Sequence, residues 1–304
     1  MPFVTPTLPP SADVLEIIQT RFLPAAGAAA VVFGIAALAG KRFRLPAAAL
    51  GIVAGAVAGN WHNSPFPLEQ WNSPSSPRFF LPHMAMVLLL VGVFASMWDD
   101  LTETCSKKTR VITVALGWVL RTIALAVAAY FVVPPDLGLP IAALFVSASL
   151  LLWFALDRVA VDGSGAEAGL IGYLGCATAG GVMLLAHYAS FMDYAMILGA
   201  GFFGLAVVAV HGKLDLRGAV PAYVGMIPGL MVSGKQLTDS QVPPACFWIA
   251  ALLPLVALPG LIPWVNRNLG RYGFLLRVGL VMIASAAVLG WAMQHEMLPW
   301  QEQW

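Results

Sequence analysis

Arg110–Val133, RVITVALGWVLRTIALAVAAYFVV, is the stretch whose reading decides the fold. A helix crosses the hydrocarbon core of a bilayer with about 20 consecutive apolar residues, and this stretch meets that length with one internal cation, Arg121. Similar apolar runs recur through all 304 residues, of which 60% are hydrophobic and only 10% charged. A soluble domain carries roughly 25% charged residues. The mean hydropathy of +0.82 points the same way. The expectation is an all-α polytopic transmembrane helix bundle forming one integral membrane domain over residues 1–304, in the cell inner membrane.

Working outward from that stretch, ten spans are predicted: Phe22–Ala39, Leu45–Gly59, Pro82–Trp98, Arg110–Val133, Ile141–Leu156, Ala168–His187, Tyr194–Val210, Ala219–Val232, Pro244–Trp264 and Phe274–Met293. The first twenty residues carry no basic residue, so no cleaved signal is expected. Positive charge follows the first span in Gly40–Arg44 and places the N-terminus outside. Predicted inner loops then hold Lys41, Arg42, Arg44, Lys107, Lys108, Arg110, Arg158, Lys213, Arg217, Arg267 and Arg271, while predicted outer segments hold Arg21, Arg78 and Lys235. That asymmetry is the positive-inside pattern, and an even number of spans puts both termini outside. Residues 60–81, rich in Pro, Ser, Asn and Trp, read as an outer loop, and residues 294–304 as an outer C-terminal tail. Most tryptophans, Trp98, Trp153 and Trp291 among them, fall near predicted interfaces.

Arg121 lies eleven residues after Arg110, about 16 Å at helical rise. A charge at that depth costs on the order of 2.5–3.5 kcal/mol on insertion scales. No acidic residue lies in the middle of a predicted span. Asp99, Asp100, Asp157 and Glu167 all sit at inner ends. Helical side chains lean toward the helix N-terminus, here the inner side. One reading therefore has Arg121 reaching Asp157, Asp99 or backbone carbonyls. The other has it contacting a small polar or anionic solute in a central cavity, with Trp118 one turn away.

Pro228, Gly229, Gly225 and Pro254 form the second candidate site. Proline removes a backbone donor and frees a carbonyl, and transporters use discontinuous helices of this kind to bind substrates and ions. Kinked packing helices have the same composition. Gly51, Gly55 and Gly59 recur every four residues and read as a face for close helix packing. His187, His83 and His295 are the residues a metal or haem would use on the outer side, but no carboxylate or cysteine completes a set nearby. Neither metal nor other cofactor is expected. P-loop, GxSxG, HExxH and dinucleotide fingerprints are absent, which argues against an enzyme. The net charge of +1 gives no field for nucleic acid.

The stretch LAGKRFRLPAAALGIVAGAVAGN, residues 38–60, resembles the first hairpin of monovalent cation/proton antiporters. That family works through acidic residues in broken helices, and no Asn-Asp or Asp-Asp pair stands inside a span here. Coupling through a buried Asp or Glu is therefore not expected. The segments GNWHNSPFPLEQW (59–71), LDRVAVDGSGAEAGLIGYLGCATAGGVMLL (156–185) and GAVPAYVGMIPGLMVSGKQL (218–237) resemble uncharacterised polytopic inner-membrane proteins of planctomycete-type bacteria. That resemblance implies topology and no particular activity. Two functions stand as expectations. The first is a permease-like transporter of a small polar or anionic solute. The alternative is a non-transporting membrane subunit or scaffold that meets a membrane-protein partner through the outer loop.

Overall fold

Long apolar runs with few polar interruptions satisfy their backbone hydrogen bonds most simply as helices, and the chain does this throughout. The structure, a computed structural model, describes residues 15–38, 44–60, 77–103, 107–133, 138–210, 214–262, 264–265 and 272–296. Among these residues every regular element is a helix and no strand occurs. The helices are α1 (Leu23–Leu38, entered through a π-helical turn at Ile18–Phe22), α2 (Arg44–Asn60), α3 (Pro77–Glu103), α4 (Lys107–Val132) and α5 (Gly138–Asp162). They continue as α6 (Gly165–Leu185), α7 (Ala189–Ala209), α8 (Val220–Leu237), α9 (Pro244–Ala251) and α10 (Tyr272–Met293), with a 3-10 segment at Leu253–Leu261 after α9.

Each of the ten expected spans overlaps one of these elements. Six are long and apolar enough to cross a membrane: Leu15–Leu38, Thr109–Val132, Gly138–Asp162, Gly165–Leu185, Ala189–Ala209 and Tyr272–Met293. A seventh is reached if α9 and the 3-10 segment, bent by 47° at their junction, make one span. Pro46–Gly59 and Met84–Ala95 are apolar but shorter. The loop expected between the fifth and sixth spans shrinks to Gly163 and Ser164, because α5 continues to Asp162. Ser164 caps α6 by accepting a hydrogen bond from the Glu167 amide at 3.2 Å.

Small residues set the closest approaches, as expected where lipid supplies no hydrophobic drive between helices. A Cβ on Gly55 would stand 2.8 Å from the Ala25 carbonyl oxygen, and one on Gly51 3.0 Å from that of Ala29. The glycine stripe of α2 thus seats α1 backbone to backbone. Gly204 of α7 does the same against Ala26. The centre is filled by α6 and α8, and α8 is buried from Val220 to Gly234. Trp153 is 1% exposed and lies inside the bundle.

Contacts between helix ends fix the relative polarity of the elements. Arg21 pairs with Asp193, and His187 Nε2 stands 3.6 Å from Glu296 Oε1. Thr238 donates to the Ala186 carbonyl at 2.5 Å. At the opposite end Glu167 meets Arg277, and Gly165 closes on the Leu214 carbonyl. Successive helices from α6 to α8 therefore alternate in direction, and α10 runs parallel to α6.

Candidate functional site

Arg121 and Trp118 are one turn apart on α4, and Trp153 and Asp157 one turn apart on α5. Spacings of three and four share a helix face, and packing α4 on α5 brings the two faces together. The Arg121 guanidinium carbon lies 4.8 Å from the centroid of Trp118 and 5.4 Å from that of Trp153. Its Nη2 is 3.6 Å from Asp157 Oδ2, and Arg121 is 1% exposed. A desolvated cation–π contact contributes up to about 2 kcal/mol. Two such faces and a carboxylate therefore balance an insertion cost of about 2.5–3.5 kcal/mol. Arg121 leans toward the start of its own helix and finds Asp157, one of the partners its position suggested. The side chain of Asp99 lies outside the described residues.

The residues of the second candidate site divide. Gly225, Pro228 and Gly229 lie on α8, which stays one continuous helix through Pro228. The break expected in that span is absent. Neighbouring helices bury this stretch completely and hold it in line, and a Cβ on Gly225 would come within 2.4 Å of Leu88. The break occurs in the next span instead, between Ala251 and Leu253, where Pro254 opens the 3-10 segment. Tyr223 of α8 donates to the Ala251 carbonyl at 3.5 Å, at the break itself. Arg121 is taken up by α4 and α5, while Gly225 faces α3 and Pro254 begins the 3-10 segment.

Sequence reasoning passed over the most deeply buried ion pair among the described residues. Arg277 of α10 and Glu167 of α6 are 4% and 1% exposed. The guanidinium grips the carboxylate with two hydrogen bonds, Nε to Oε1 and Nη2 to Oε2, the latter at 2.9 Å. Its Nη1 donates to the Gly260 carbonyl of the 3-10 segment at 2.9 Å. The site therefore ties together α6, α10 and the broken span. Glu167, expected at an inner helix end, is thus buried within the bundle. It was passed over because it precedes the sixth expected span and so reads as a residue of an inner loop end. Arg277 sits only six positions into α10, close enough to the helix end to pass for an interfacial cation. The available signal was that Glu167 is followed by the longest glycine-rich span, whose small residues leave a long side chain nowhere to go but toward a neighbouring helix.

Farther along the α6–α10 seam, the Thr178 and Ser285 hydroxyl oxygens lie 2.9 Å apart, and each is also within hydrogen-bonding distance of a carbonyl of its own helix, so the two hydroxyl protons are shared among three contacts. At the far end His187, with a left-handed φ of 59°, meets Glu296, whose other oxygen accepts from the Gln241 amide at 2.7 Å. His295 bonds the Trp291 carbonyl through Nδ1 at 3.0 Å. The side chain of His83 lies outside the described residues. Among the described residues no three His, Cys, Asp or Glu side chains group to hold a metal ion. A small crevice of about 30 Å³ lies between α2, α3, α7 and α8. Its lining is apolar apart from Tyr194, and it holds neither Arg121 nor Arg277. No family model and no curated protein matches the chain.

Proposed function

We propose that the chain is a multi-pass protein of the cell inner membrane, with ten crossings and both termini outside, that acts as a permease-like carrier of a small polar or anionic solute. The observation that carries the reading is the broken span. Its 3-10 half is fastened to an arginine, Arg277, inside the helix bundle. Ionisable side chains inside membrane bundles are costly and mark solute and ion pathways, and discontinuous helices form the sites of many carriers. The alternation of helix ends supports the topology. Arg158 and Arg217 lie toward the Glu167 end, whereas Arg21 and Lys235 lie toward the His187 end.

Two measurements test this. With Cys105, Cys176 and Cys246 replaced by serine, Gln294→Cys is expected to react with a membrane-impermeant maleimide on intact cells. Asp162→Cys is expected to react only after permeabilisation. The reverse pattern overturns the topology. For transport, the detergent-purified chain is screened by thermal unfolding against small organic and inorganic anions. A ligand at a hundredfold excess over its Kd stabilises the folded state by about 2.7 kcal/mol, a shift of several degrees. A stabilising anion that also supports counterflow in proteoliposomes is the expected result. No stabilising anion and no counterflow would leave the scaffold reading, which the burial of Arg121 against two indoles and Asp157 favours. In that reading residues 60–81 and 294–304 dock a membrane-protein partner. Most of both segments lies outside the described residues.

A further inference from the structure

We propose that Arg277 is the cation that anchors the solute and that Glu167 is its displaceable counter-ion. A small monocarboxylate takes the two guanidinium N–H groups that Glu167 now occupies, and the released Glu167 carboxylate takes up one free proton (hydronium) from the bulk aqueous phase. This rests on the carrier reading above. It names the substrate class, a monocarboxylate, and the co-transported ion, a proton.

The fit follows from the geometry of the fork. Arginine presents parallel N–H groups that match any planar carboxylate, so a carboxylate-bearing solute offers the same acceptors as Glu167. During exchange Nη1 remains on the Gly260 carbonyl, which keeps the guanidinium oriented. The alternative cation, Arg121, is already engaged by the Trp118 and Trp153 rings, 4.8 and 5.4 Å from its guanidinium carbon, and by Asp157.

Access to the pair is short. Glu167 stands three residues from Ser164, which is exposed, and next to half-exposed Gly163. A Cβ on Gly163 would lie 2.7 Å from Glu167 Oε2, so the α5–α6 turn comes directly up to the carboxylate. The third element, the Leu253–Leu261 segment, is 3-10 and follows a 47° bend. It can therefore shift without breaking an α-helical ladder.

Charge balance supplies the proton. An added carboxylate beside an ionised Glu167 would set two negative charges on one arginine in a low-dielectric interior. Protonating Glu167 restores one anion to one cation, so that one anion and one proton are bound together. The other ionisable groups on surrounding elements are already matched. Arg121 and Asp157 are 3.6 Å apart between α4 and α5, Arg158 and Asp162 3.4 Å apart on α5, and Arg217 and Asp215 2.7 Å apart before α8. The described charges of α7 and α8, Asp193 and Lys235, lie toward the opposite end with Arg21 and Phe247.

The test uses the full chain in detergent with sodium acetate as the probe, its Kd measured by thermal shift across neutral pH. In the native chain the Kd is expected to weaken about tenfold per pH unit, the signature of one co-bound proton. Acetate is also expected to raise a protonated-carboxyl band in the infrared difference spectrum. In Glu167→Gln binding persists, the pH slope disappears and the band is lost. Arg277→Lys weakens binding at least tenfold. An unchanged pH slope in Glu167→Gln, or binding lost only in Arg121→Gln, overturns this assignment while leaving the carrier reading intact. If neither acetate nor any other small anion stabilises the native chain or supports counterflow, the carrier reading itself fails. Should Arg277→Lys not fold, the slope and band in Glu167→Gln decide.

Discussion

Replacing Arg277 by leucine will destabilise the bundle by about 3–5 kcal/mol, because the change strands a buried carboxylate. Glu167 is 1% exposed and takes both of its side-chain hydrogen bonds from that guanidinium. The Gly260 carbonyl loses its partner as well, and with it the broken span loses its tie to α10. The double variant Arg277→Leu/Glu167→Leu should recover most of the loss, since apolar replacement of a whole buried pair is often neutral or stabilising. Thermal unfolding of the four members of this cycle, in one detergent, reads the coupling directly. If the double variant were as unstable as the single one, the pair would not be the source of the loss. The cycle concerns folding alone and is independent of whether the pair exchanges its carboxylate with a solute.

Gly204→Val is expected to cost on the order of 3 kcal/mol, at the upper end of the range for overpacking. A Cβ there would stand 2.2 Å from the Ala26 carbonyl oxygen and 3.2 Å from the Ala26 Cα. Both are backbone atoms, so no rotamer change relieves the clash. The helix α1 must move off α7, and the Gly51–Ala29 and Gly55–Ala25 contacts between α1 and α2 would open with it. Gly27, on α1 itself, is the internal control, because a Cβ there meets nothing within 4 Å. Gly27→Ala should leave unfolding unchanged or shift it slightly upward, since alanine is the better helix former. Equal losses at the two positions would mean that glycine flexibility, not close approach, is what the fold requires.

Much of this architecture was legible beforehand. The Arg110–Val133 stretch became α4 almost residue for residue, and the four-residue glycine spacing of α2 became its contact face. The lean of Arg121 toward Asp157 followed from helix geometry and a list of acids at inner ends. Glu167 stands at a helix end in the sequence, which is a property of a single helix, whereas its burial was set by the Arg277 that packs against that helix. Pro228 marks a break by the rules of an isolated helix, yet the bundle holds α8 straight and the chain breaks one span later, at Ala251–Leu253.

By itself the sequence determined the helical class, the places of the apolar helices among the described residues and the existence of a cation that needed compensation. These are sums over neighbouring residues, and hydropathy and helical period accumulate along the chain. Only the tertiary structure decided that Arg277 meets Glu167 across 110 residues and that Thr178 meets Ser285 across 107. It also decided that the 3-10 segment rests on that ion pair. Such pairings depend on which helix faces turn toward each other. In a bundle where most faces are equally apolar, shape and a few buried polar groups choose among the arrangements that hydropathy alone leaves equivalent.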